Sequence, residues 1–193
     1  MAFPVFLDTC TLFGQALTDL LLSLAAQGCF EPYWSREVLD AMERNVVQRG
    51  RANADAIHRR RLQMEKAFPA ALVEGFEPLI GSMMNDPGDR HVLAACVKSP
   101  AQTLVTFNVS DFAAASVVPF DIEVLDPDDF VLDLLDLHPI WSRQAIEAML
   151  LRNQWPPQDF ASLASALERI DMPKTAASLR SLASSEFPEG TGS

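Results

Sequence analysis

At 193 residues the chain has room for one α/β domain with a proper core plus a small appendage. Its 49% apolar content is ordinary for a globular protein, and its formal net charge of −11 argues against indiscriminate nucleic-acid binding, because the global field repels phosphates. No apolar run approaches the roughly 18 residues of a membrane-spanning helix, and the N-terminal apolar stretch lacks a basic lead and is broken by Asp8, so the expectation is a cytoplasmic protein without membrane contact. Cys10, Cys29 and Cys96 are odd in number and lack CxxC spacing, which argues against a disulfide framework or a zinc site; they read as small buried hydrophobes.

The run Phe3-Pro4-Val5-Phe6-Leu7 is continuously apolar, the pattern of a strand buried on both faces, and Asp8 ends it. An apolar helix is predicted over residues 12–27, with Leu17, Leu20, Leu21 and Leu24 at core spacing and Gly28 as its stop. After a short strand at 30–34, Ser35 caps a helix reaching about residue 48, with Glu37 and Asp40 in its early turns where negative charge suits the helix dipole. Gly50 breaks that helix, and a basic helix follows over 53–68 until Pro69. Between Arg44 and Lys66 lie Arg44, Arg49, Arg51, Arg59, Arg60, Arg61 and Lys66, seven of the fifteen basic residues. Such a run is commonly a solvated face; its functional alternative is phosphate or partner contact through Arg59, Arg60 and Arg61. Residues 70–83 predict a short helix or turn followed by a short extended piece.

The centre of the chain is residues 84–111. Pro87 and Gly88 turn the chain, Asp89 opens a helix with Val92, Leu93 and Cys96 on one face, Leu104-Val105-Thr106-Phe107 is a short buried strand, and Asp111 follows it. A last strand is predicted at 122–125, with Asp126-Pro127 opening a helix over 128–137. Alternating strands and helices predict a parallel sheet with right-handed crossovers. From Pro139 the pattern is all helix, at 140–153, 159–170 and 173–184. The expected organisation is an α/β domain over 1–137, a helical extension over 138–186, and a disordered tail over 187–193. Trp34, Trp141 and Trp155 read as packing residues, and His91 as structural.

Asp8, Asp89 and Asp111 stand at strand and helix ends, which collect at one edge of an open parallel sheet, where ligands bind. Carboxylates meeting there raise one another's pKa unless a cation neutralises them, and oxygen donors select hard ions such as Mg²⁺ or Mn²⁺. Such ions activate water and stabilise the leaving oxygen of a phosphodiester. The chain has no Gly-rich phosphate loop, no HExxH and no serviceable Ser-His-Asp order, so a metal-dependent phosphodiesterase is the enzyme class its residue types support best.

Leu7-Asp8-Thr9, Asp89-Arg90-His91-Val92-Leu93-Ala94-Ala95 and Thr106-Phe107-Asn108-Val109-Ser110-Asp111-Phe112 resemble, in order and spacing, the acidic motifs of PIN-domain nucleases, especially VapC-type toxins of bacterial toxin-antitoxin systems. The resemblance covers about residues 3–130. It implies a PIN-like parallel sheet flanked by helices, followed here by the C-terminal all-helical extension. It further implies Mg²⁺- or Mn²⁺-dependent endoribonuclease cleavage of RNA and a cognate antitoxin; the C-terminal helices are the expected surface for that partner or for a homodimer. Asp8, Asp89 and Asp111 map onto the metal-binding catalytic acids, Asp86 is an extra acid seen in some relatives, and Asn108 with Thr106 falls at polar positions near substrate.

The chain departs from that pattern where the helix after the first crossover usually supplies a glutamate: the aligned position is Ala41, flanked by Asp40 and Glu43. Either the site works with fewer acids, a neighbour substitutes, with Glu43 favoured for its longer side chain, or the protein is a catalytically weakened PIN-like module that binds RNA or protein. A phosphatase of the haloacid-dehalogenase type also begins with a strand ending in aspartate, but needs a second acid two residues on, where this chain has Cys10.

Overall fold

The apolar N-terminal run forms β1 (Phe3–Leu7), whose Val5, Phe6 and Leu7 are wholly buried, as a strand covered on both faces must be. Around it, in a computed structural model describing residues 2–50, 52–153 and 156–184, stands a five-stranded parallel sheet. The expected disordered tail at 187–193 and Trp155 lie outside the described residues. The sheet has the order β3-β2-β1-β4-β5, with β2 at Phe30–Ser35, β3 at Leu72–Val73, β4 at Thr103–Val105 and β5 at Glu123–Leu125. Every adjacent pair is parallel.

The chain winds outward from β1 through α1 (Gln15–Ala26) to β2, then through α2 (Arg36–Gln48) and α3 (Ala54–Ala67) to β3. It returns through α4 (Arg90–Lys98) to lay β4 on the other side of β1, and α5 (Ala114–Val117) precedes β5. The winding direction therefore reverses between β1 and β4, and a crevice opens at the carboxyl ends of these two strands, the general ligand position of open α/β sheets. Local chemistry sets the element ends. Gly28 stops α1 at φ 83°, letting Gly28 and Cys29 return their amides to Ala25 and Leu24, and the Ser35 and Asn53 side chains cap α2 and α3.

Residues 70–83 reverse the expected order: the strand Leu72–Val73 comes first, and a 3₁₀ turn over Glu77–Ser82 follows. Pro78 explains the turn, since it suits the first positions of a helix but cannot donate within a strand ladder. Trp34 is a core residue, edge-on to Phe68, whereas Trp141 is 47% exposed and stacks on His138, contrary to the packing role expected of it.

Four helices complete the described chain: α6 (Pro127–Leu137), α7 (Pro139–Arg152), α8 (Phe160–Glu168) and α9 (Pro173–Ser184). Phe130 of α6 sits edge-on to Phe3 and Phe30, so α6 seals one face of the sheet. The hydrophobic core runs on without a break into Ile146, Leu163 and Leu179 of the last three helices. One buried carboxylate couples α6 to α9: Asp128, 3% exposed, accepts from the backbone amides of Lys174 (2.9 Å) and Thr175 (2.7 Å). These amides belong to the first turn of α9 and have no partner within the helix, so Asp128 caps α9 from another element and places its charge at the positive end of the helix dipole. Replacing Asp128 by Ala strands both amides and is expected to lower the unfolding free energy by about 2–3 kcal/mol in urea titrations; a loss below about 0.5 kcal/mol would mean that apolar packing alone docks α9.

Candidate active site

Asp8 is the most constrained residue of the crevice. It follows β1 directly, its backbone amide continues the ladder to Val105 (3.1 Å), and its side chain is only 3% exposed. A carboxylate that deeply buried needs donors. The Thr106 hydroxyl donates to its Oδ2 at 2.7 Å, the Cys10 thiol donates to the same oxygen at 3.2 Å, and the Thr9 amide donates to Oδ1. Thr106 in turn follows β4, so β1 and β4 are joined at their carboxyl ends by the Asp8 carboxyl group and its donors.

Cys10 was expected to be a buried hydrophobe, but it lies half-buried on the crevice and takes part in this network. Its sulfur also accepts from the Phe107 amide at 3.2 Å. Burial, followed by the adjacent Asp8 charge, pushes its pKa up to about 12, so the thiol keeps its proton and acts as a donor. Its lack of thiolate character leaves the crevice an oxygen-donor site.

Asp89 approaches from the start of α4. Its backbone accepts the first helical hydrogen bonds, but its carboxylate makes no capping bond, so the carboxylate remains available. Burial first, then the charges of Asp8 and Asp111, hold its pKa above the ordinary value of 3.8, with His91 opposing and Asp86 reinforcing the shift. Asp111 comes from the 3₁₀ turn Val109–Asp111, whose backbone carbonyl accepts from the Asp86 amide at 3.1 Å, tying the two loops together. Asp86 itself accepts from the Gly88 amide at 2.8 Å, the local turn that an Asp-Pro-Gly sequence favours.

A cleft of about 480 Å³ joins Asp8 and Asp89 on one wall to Glu37, Asp40, Ala41, Arg44 and Asn45 of α2 on the other, with His91 and Asn108 at its sides. Asp111 and Asp86 stand beyond this lining but act on Asp89 through charge. Among the described residues no three His, Cys, Asp or Glu side chains stand together as a ready-made metal-binding group. The carboxylates border the crevice instead, and their mutual repulsion at Asp89 and their oxygen chemistry suit a hard divalent cation.

Not every predicted site residue reaches the cleft. Glu43 points to α3, where its carboxylate accepts from Arg61 Nη1 at 3.1 Å and meets His58 Nδ1 at 3.1 Å. Arg61 is 9% exposed and also bonds Asp40 and Glu65, while Arg60 bonds Asp19 at 2.9 Å. Arg59 is exposed on α3, and no residue of α3 lines the cleft among the described residues. The basic helix thus spends Arg60 and Arg61 on internal ion pairs. Glu37, Arg44 and Asn45 escaped notice in the sequence as site residues. Their signal was the stripe of Glu37, Arg44 and Asn45 around the small Ala41, opposite the apolar stripe at 38, 39, 42 and 46, legible only once the crevice is known to face α2.

Comparison with known proteins now places the chain. The PIN domain family model matches residues 4–110, and the model described as the VapC50 C-terminal domain matches residues 127–181. With more than half of its length matched, the chain belongs to the PIN-domain family, in the VapC-type form with a helical C-terminal domain. A relative from Mycobacterium tuberculosis named "Putative ribonuclease VapC50" is 39% identical over 122 residues, covering 63% of this chain and 72% of that protein. No solved structure matches significantly.

The electrostatics of Asp89 carry a pH signature. A carboxyl whose folded pKa is raised binds its proton more readily in the folded than in the unfolded chain, so its ionisation opposes folding as pH climbs past 3.8. In metal-free buffer, Asp89→Asn is therefore expected to raise the melting temperature at pH 7, with the gain shrinking toward about pH 4. A gain independent of pH would remove charge repulsion as its cause.

Proposed function

We propose that this VapC-type PIN protein is a ribonuclease toxin that cleaves RNA phosphodiester bonds with Mg²⁺ or Mn²⁺ held by Asp8, Asp89 and Asp111, and with Asp86 adding negative charge behind them. The single observation that carries this reading is the meeting of Asp8 and Asp89 in one cleft at the sheet edge where strand winding reverses. When bound, the ion supplies an activated water and neutralises charge on the leaving oxygen. The protein's own residues bind and orient. Thr106 and Cys10 fix the Asp8 carboxylate in one rotamer, so its free oxygen lone pairs keep a constant direction. Arg44, exposed on the cleft wall and without an ion-pair partner among the described residues, offers a guanidinium to RNA phosphate. Asn108 and Asn45 line the same cleft and add amide donors and acceptors for phosphate or base. On a chain of net charge −11, Arg44 supplies local attraction that the global field withholds.

The rest of the reading follows from family membership. It includes neutralisation by a cognate antitoxin, and we extend it to action in the cytoplasm and a homodimeric state; no helix among the described residues is long and apolar enough to cross a membrane. Leu137, Ile140, Trp141 and Leu151, exposed on α6 and α7, are apolar surface on which protein partners could draw.

A second reading, a catalytically weakened module that binds RNA or protein, is favoured by one observation: Ala41 faces the cleft without a carboxylate. Cleavage of structured RNA in Mn²⁺, measured on gels against a chelated control, separates the two. The nuclease reading expects metal-dependent cleavage, loss of at least about 100-fold in Asp8→Asn, and a loss of about tenfold in Arg44→Ala. RNA binding without cleavage in Mg²⁺ or Mn²⁺ would favour the weakened module.

A further inference from the structure

The cleft wall built by α2 is sorted by helical phase. Val38, Leu39, Met42 and Val46 point into the core, and Glu37, Ala41, Arg44 and Asn45 line the cleft. The three acids of this helix have different fates. Glu43 is held by Arg61 and His58 and does not line the cleft. Asp40 touches the cleft, but its Oδ1 accepts from Arg61 Nη1 at 2.5 Å, and Arg61 is itself buried and cannot easily withdraw. Glu37 is exposed, lines the cleft, and has no hydrogen-bond or ion-pair partner for its side chain among the described residues.

Strand register places the start of α2 at the same sheet edge as Asp8. In the β1–β2 pairing Phe6 lies opposite Tyr33, so the two strands run parallel to the same sheet edge, where Asp8 follows β1 and Ser35 ends β2. Ser35 caps α2, so Glu37 sits in the first turn of a helix that begins at the same sheet edge as Asp8. Ala41 follows one turn later, within about 40° of Glu37 around the helix, and its methyl group leaves the space between that wall and the acids open to a longer side chain.

We infer that Glu37 is the carboxylate which α2 contributes to the divalent-ion site, in the place sequence reasoning gave to Glu43. It lines the same cleft as Asp8 and Asp89 and, among the described residues, is held by no arginine. The inference rests on the metal-dependent reading of the same site.

Mn²⁺ titration of the full chain without RNA, read by water-proton relaxation and calorimetry, tests it. Glu37→Gln is expected to weaken Mn²⁺ binding by about tenfold or more, the scale set by losing a positioned group around a metal, while Glu43→Gln leaves affinity unchanged. Placing Ala41→Glu on the Glu37→Gln background is expected to restore affinity, because both positions open on the same side. Should Glu37→Gln lower the metal-free melting temperature, that rescue decides: restored affinity supports the assignment, and none overturns it. Unaltered affinity in Glu37→Gln beside lost affinity in Asp8→Asn overturns the role of Glu37 and leaves the metal reading standing. A wild-type chain that binds no Mn²⁺ overturns both.

Discussion

An ionised carboxylate cannot be buried at the end of a strand unless other groups solvate it, and much of this molecule's site follows from that requirement at Asp8. Its donors come from two places far apart in sequence: Thr9 and Cys10 just after β1, and Thr106 just after β4. Meeting the requirement therefore closes the carboxyl ends of two adjacent strands around one charge. The same residues also hold the following loop, since the Thr106 hydroxyl accepts from the Asn108 amide at 3.0 Å and the Cys10 sulfur accepts from Phe107. The stability of the sheet edge and the direction of the Asp8 lone pairs are one problem with one solution.

Arg61 plays the matching part on the opposite side. A buried guanidinium is costly when unpaired, and here Asp40, Glu43 and Glu65 surround it. This cluster joins α2 to α3 and draws two of the three α2 acids toward the helix pair. What remains toward the crevice is a mixed wall of Glu37, Ala41, Arg44 and Asn45. An acidic protein thus presents acids from the strand edge and, from α2, an arginine without an ion-pair partner among the described residues to the same space, an arrangement suited to a cation and a phosphate side by side.

The C-terminal helices are bound into the body of the protein by polar as well as apolar contacts. Besides the Asp128 cap on α9, Arg152 of α7 donates to the Ser23 hydroxyl of α1 at 3.1 Å, and Phe130 packs beneath the sheet. α6 belongs to both regions by contact: it seals the sheet through one face and caps α9 through Asp128. Motions of the last helices therefore bear on the sheet's support and not on the crevice directly, because none of their described residues lines it.

The parallel α/β architecture, the order of its helices and the places of Asp8 after β1 and Asp89 at the start of α4 were legible in the sequence, because buried strands, caps and turn residues are local patterns with a fixed period. The strand at Leu72–Val73 was harder to place, since two residues carry no periodicity and only pairing with β2 defines them. The roles of Glu43, Arg60 and Arg61 could not be read from residue type. Charge says what a side chain can bind, whereas its neighbours in space decide whether it is already bound, and here α3 folds back on α2 to bind them. By the same logic Cys10 became a proton donor to Asp8 and Glu37 became a cleft residue only when β1, β4 and α2 met at one edge. The sequence by itself determined which elements form and where carboxylates end them; the tertiary structure alone decided which charges face each other, because ion pairing depends on distances between segments that the chain order does not contain.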